Sequence, residues 1–129
     1  MPKRGLTFRD VRKIALDLPE AEESTSWGSP SLKVAGRMFA CMATHRSADK
    51  NSLIVVLSDY EQRDAIIADD PDTYYVRDHY LGSPCVLVRL SRVHPDALRD
   101  LLRGAWKTVK RKNRNSRRPR RRRGGLPDR

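Results

Sequence analysis

Apolar residues along the chain recur with two periods, and the periods predict the elements. Phe8, Val11, Ile14, Ala15 and Leu18 are spaced by three and four, the mark of one helix face turned to a core. A first helix is therefore expected over 8–18, capped by Thr7 with Asp10 three residues on and ended by Pro19. The next stretch holds Glu20, Glu22 and Glu23 and reads as a polar loop leading to Trp27-Gly28-Ser29-Pro30. The period then becomes two. Leu32 and Val34 alternate with Ser31 and Lys33, Ala35-Gly36 supplies a turn, and residues 37–43 return as the second strand of a hairpin. Met38, Ala40 and Met42 are expected on one face of that strand, Phe39 and Cys41 on the other. Apolar residues on both faces place it inside a sheet. After a polar tip at 44–51, the run Leu53-Ile54-Val55-Val56-Leu57 predicts a central strand.

Ser58 and Glu61 have capping-box spacing and open a short second helix with Tyr60, Ile66 and Ile67 as its apolar members, broken at Asp69-Asp70-Pro71-Asp72. Residues 74–76 read as a short strand, Gly82-Ser83-Pro84 as a turn and 85–90 as the last strand. His94 then caps a third helix with Pro95 at its first position. Leu98, Leu101, Leu102, Ala105, Trp106 and Val109 form its core-facing stripe, opposite Arg99, Arg103 and Lys107. Asp96 and Asp100 are close helical partners for those cations. The fold class is α+β: an antiparallel sheet of about five strands with helices packed on one face.

Charge divides the chain. Its 129 residues suit one hydrophobic core. The formal net charge is +11, yet residues 1–109 hold 16 Lys and Arg against 15 Asp and Glu. Residues 110–129 hold 11 cations against one Asp. The basic character thus belongs to the end of the chain, and the domain at 1–109 is close to neutral. Residues 111–123 have no apolar side chain and include Pro119. With like charges repelling and nothing to offset the ordering entropy, residues 110–129 are expected to be a disordered tail. Cys41 and Cys85 sit in strand-like runs and read as buried, reduced, structural thiols. No signal peptide or bilayer-length apolar run is read, so a cytoplasmic location without membrane contact is expected.

The stretch Leu18-Pro19-Glu20, followed by Trp27-Gly28-Ser29-Pro30-Ser31-Leu32-Lys33-Val34-Ala35-Gly36-Arg37-Met38-Phe39-Ala40, resembles the signature of the MmcQ/YjbR family. The segment from Pro84 to Leu90 and the Leu-rich helix with Ala105-Trp106 extend the resemblance over roughly residues 7–109. The resemblance implies a frataxin-like (CyaY-like) double-wing fold and a DNA-binding label. It brings no catalytic residues and no cofactor. Its matched positions best suited to contacts are Lys33, Arg37 and the loop around Trp27. The arginine run departs from the family pattern.

The candidate chemistry is that of a nucleic-acid binder without catalysis, with DNA favoured over RNA as partner. Lys110, Arg111, Lys112, Arg114, Arg117, Arg118, Arg120, Arg121, Arg122 and Arg123 form a polycation. Arginine forks bind phosphates bidentately and stack on bases. Lys33 and Arg37 lie on the hairpin, which as a two-stranded ribbon fits a major groove; the plainer reading is a solvated strand face. Trp27 either stacks on a base or plugs the end of the sheet, and the plug is preferred. No nucleophile–base constellation, phosphate loop or metal spacing is legible, which leaves only a fold-assembled cluster around Asp78, His79 and Tyr80 as an enzymatic possibility. The acidic clusters at 20–23 and 69–72 read as solvated, so no metal is expected. The alternative function is a protein-interaction or small-ligand module with an incidental tail. A monomer is expected, although an exposed edge strand could pair two chains.

Overall fold

The computed structural model of the chain describes residues 5–26 and 28–117. Helix α1 (Phe8–Leu16) opens as expected, the Thr7 N–H donating to the Asp10 carboxylate at 2.9 Å. It ends two residues short of the expected limit, and Val11 and Ala15 are fully buried on its inner side.

Six strands then build one antiparallel sheet: β1 (Ala21–Ser26), β2 (Ser29–Val34), β3 (Arg37–Met42), β4 (Ser52–Val56), β5 (Tyr74–Tyr75) and β6 (Cys85–Arg89), in the order β1-β2-β3-β4-β6-β5. The apolar run read as central is central: β4 lies between β3 and β6. The sixth strand is β1, where the sequence reads as a polar loop. Its register, Ala21 opposite Val34 through Ser26 opposite Ser29, makes it the edge partner of β2. A polar strand is stable there because one side of its backbone is paired and its charges stay wet, and charge on an edge also discourages further pairing.

A second correction concerns faces. Leu32 is opposite Ala40 but Lys33 is opposite Met38, so Phe39 is an extra residue in β3. This bulge breaks the strict alternation. Phe39 and Ala40 both join the main core, whereas Met38 turns to the other face with Lys33. The tip of the hairpin is tight, with Ala35 at φ 54° and Gly36 at φ 78°. Positive φ at both central residues matches the right-handed twist of a two-residue hairpin.

Helix α2 (Tyr60–Asp69) begins one residue later than expected: Asp59 caps it by accepting from Gln62 N at 2.8 Å. Ser58, read as the cap, instead donates through N–H and hydroxyl to the Gln62 side chain. Helix α3 (Pro95–Arg117) is held by Leu98, Leu102, Ala105 and Val109 on its buried side. His94 Nδ1 accepts from Asp96 N at 3.1 Å, so the histidine is a cap. The half-buried Trp106 ties α3 to the α1–β1 link, its Nε1–H donating to Pro19 O at 2.9 Å.

The helix does not stop at Val109. It continues through residues 110–117, which the sequence reading assigned to the disordered tail. That stretch holds Lys, Arg, Asn and Ser but neither Gly nor Pro. Lys and Arg are good helix formers, and an established helix adds residues without a new nucleation cost. The first proline after Pro95 is Pro119; the rest of the tail, with the disorder expected of it, lies outside the described residues.

All three helices feed one core on one face of the sheet, built around Leu32, Val34, Phe39, Leu53, Val55 and Val86. The opposite face carries a smaller cluster of Ile54, Tyr75, Cys85 and Leu87, covered by Ala43, Ala48 and Tyr80. No helix among the described residues is long and apolar enough to cross a membrane.

Candidate functional site

Two features stand out: the basic end of α3 and a cavity on the helix-free face of the sheet.

Along α3, positions 99, 103, 107, 110, 114 and 117 are separated by three or four residues and are all Arg or Lys. Such spacing puts them along one side of a helix. The near end of this row is anchored. Lys110 Nζ lies 3.2 Å from Glu20 Oε1 and 4.8 Å from the centre of the Trp106 ring. Arg99 is paired with Asp96 at 3.1 Å. Arg103, Lys107 and Arg111 are exposed. Val109 is the last buried residue of the helix among those whose burial is described. Residues 110–117 are therefore a cationic extension of the domain, about 12 Å long at 1.5 Å per residue. Lys112, Arg114 and Arg117 are placed on it by the helix backbone. Arg118, Arg120, Arg121, Arg122 and Arg123 lie outside the described residues, as does Trp27 with its expected role as a plug.

The hairpin cations are not brought together. Lys33 shares a face with Met38 and stands directly across from Glu22, an opposite-charge cross-strand pair. Arg37 pairs with Val34 in the register and so takes the helix side. Arg37 does share an end of the sheet with the start of the basic extension. Val34 is opposite both Arg37 and Ala21, and Ala21 follows the Glu20 that binds Lys110. Of the acidic clusters, Glu20 is used by Lys110, and Glu23 by Arg12 at 3.5 Å.

The cavity has a volume of about 720 Å³. Its floor is the apolar face of the sheet, with Met38, Ile54, Val56 and Cys85; Met42 and Pro84 also line it. Over it stand Thr44 and His45 from the β3–β4 loop and His79, Tyr80 and Ser83 from the segment before β6. That segment contains one turn of 3₁₀ helix (Asp78–Tyr80). The two imidazoles are stacked, 3.7 Å between centroids and 11° from parallel, and the Tyr80 ring meets both edge-on. His45 Nδ1 accepts the Ser47 N–H at 3.1 Å and lies 2.7 Å from Ser47 Oγ. With its Nδ1 lone pair occupied, the neutral ring carries its proton on Nε2.

Partial burial, and then the charges of His79 and Arg46, hold His45 below the usual histidine range. Burial pushes the Cys41 thiol up. Cys85 is also raised by burial, against a lesser opposing pull from Arg63. Both thiols are therefore protonated at neutral pH and poor as nucleophiles. Burial likewise raises Tyr80, a hydrogen bond from the His45 backbone opposing it. Sequence reading named His79 and Tyr80 as a possible cluster. It missed His45 as their partner, because the partnership comes from two loops brought side by side over the sheet. Asp78 does not line the cavity.

The comparisons with known proteins agree with one another. The family model YjbR matches residues 16–108. Uncharacterized proteins of Mycobacterium tuberculosis and Mycobacterium bovis are each 30% identical over 115 residues, covering 78% of this chain and 85% of theirs. The crystal structure of a Deinococcus radiodurans protein with the DUF419 domain is similar in fold, with a TM-score of 0.69 at 24% identity, covering 99% of this chain and 94% of that one. The chain belongs to the YjbR family.

Proposed function

We propose that this protein is a non-catalytic nucleic-acid-binding module that grips phosphates through the basic continuation of α3. The observation carrying the proposal is that the helix runs past the last buried residue of the core into a segment of Lys and Arg. Fixed on a helix, cations at 111, 112, 114 and 117 cost less ordering entropy on binding than the same residues on a coil. A helix fits the major groove of B-form DNA, about 12 Å wide, whereas the deep, narrow major groove of A-form RNA does not admit one. Duplex DNA is therefore the favoured partner. Phosphate contacts of this kind carry no sequence information. Arg37, at the same end of the sheet, would add a contact, whereas the charge of Lys33 is offset by Glu22 directly across from it.

The test is fluorescence anisotropy of labelled duplex DNA with two variants, one quadruple and one single. Changing Arg111, Lys112, Arg114 and Arg117 to Gln should weaken binding at least about tenfold at physiological salt. Changing Lys33 alone to Gln should leave it within about twofold. Equal losses in the two variants would return the contact to the hairpin.

A further inference from the structure

The cavity on the helix-free face has no place in nucleic-acid binding and calls for its own account. Its volume, about 720 Å³, lies within the range of small-ligand sites, which are mostly apolar with a few converging polar groups. Its charge pattern narrows the ligand. No Asp or Glu lines it, so no carboxylate there would hold a hard cation. Every ionisable group on its wall is a histidine, a tyrosine or a thiol. With Nδ1 engaged by Ser47, His45 has Nε2–H left to donate. The stacked His79 ring adds a second imidazole at 3.7 Å. Two imidazoles in contact repel when both are charged, and an anion between solvent and the pair relieves that repulsion. Beyond the Cys85 wall stands Arg63, whose charge is felt at the Cys85 thiol and whose Nη1 is buried without a hydrogen-bond partner. Arg63 is itself paired with Asp64 at 3.4 Å. The site is thus apolar below and imidazole-bearing above.

We infer that this cavity binds a small apolar carboxylate, its hydrocarbon or aromatic body against Met38, Ile54 and Val56 and its carboxylate at the His45–His79 pair. The carboxylate accepts from His45 Nε2–H and favours the charged form of that ring, so affinity rises as pH falls. The titratable and charged groups around the pair are Arg46 on the loop of His45, Tyr80 beside His79, and Cys41 and Cys85 on the strands below with Arg63 behind Cys85. Of these, His45, held below 6.5, is the group whose change of charge falls on the acidic side of neutrality.

The experiment is an NMR titration of the full chain with phenylacetate, at about pH 5.5 and about pH 7.5. Phenylethanol serves as the neutral analogue and acetate as the anion without an apolar body. Saturable shifts are expected at His45, His79, Met38 and Ile54, with at least about threefold tighter binding at the lower pH and at least about tenfold weaker binding of phenylethanol. Acetate should not saturate. Met38→Glu, which puts a carboxylate at the cavity, should abolish binding, while Met38→Gln should keep it within about threefold. If Met38→Glu is misfolded, as its own spectrum would show, His45→Ala replaces it; it removes the Nε2–H donor and should remove most of the pH dependence. Absence of saturable shifts, equal binding of phenylethanol, or unchanged binding in the charged variant would each overturn the inference. So would phenylacetate shifts confined to the basic end of α3.

Discussion

Ala35 holds a φ of 54° at the hairpin tip, beside Gly36 at 78°. A left-handed alanine costs roughly 1 kcal/mol relative to residues that tolerate the region. Ala35→Asn should therefore raise stability by about 0.5–1 kcal/mol, visible as a small increase in Tm; a decrease would mean the turn is held by something other than its backbone. His45 offers a second test at this scale. Its lowered pKa means that the fold favours the neutral ring, so its contribution is present above the unfolded value of 6.5 and is lost as pH falls through the lower folded value. Proton NMR should find His45 titrating below 6.5, and His79→Ala should move the midpoint upward. The same residues mark how far the sequence could be read. Ala35-Gly36 announces a turn by composition alone. His45 and His79 lie in separate loops, and nothing in either local pattern says that the rings stack.

The elements with strong periodicity were legible: α1, β4, β6 and the buried stripe of α3 form where their apolar residues recur. The errors arose where backbone pairing or helix propagation outweighed side-chain pattern. Strand β1 has the sequence AEESTS and exists because β2 offers it an edge. The β3 bulge moves Phe39 and Met38 off strict alternation and thereby gives the cavity Met38 as a wall. The end of α3 was misplaced because the apolar stripe stops at Val109 whereas helix propensity does not. That difference matters for function and can be tested without altering charge. Asn113→Pro interrupts the helix beyond Val109, the last buried residue among those whose burial is described. Helical circular dichroism should fall slightly, the melting temperature should stay within about 2 °C, and DNA affinity should drop several-fold. Unchanged affinity would show that the cations act as a flexible tail.

For the whole molecule, the charge partition is the governing fact. A nearly neutral domain sets its helices on one face of the sheet, carries a cavity on the other, and extends one helix as a cationic arm. The arm begins where Glu20, just before β1, holds Lys110, and the helix backbone carries the next cations past that point. A phosphate-gripping arm must meet polyanions by counterion release. The most direct measurement is the affinity of the full chain for a labelled DNA duplex across a salt series from about 50 to 300 mM. Engaging about six phosphates predicts a log–log slope near −5 and a loss of roughly three decades in affinity between 50 and 200 mM. A slope flatter than about −2, or no binding at the lowest salt, would contradict it.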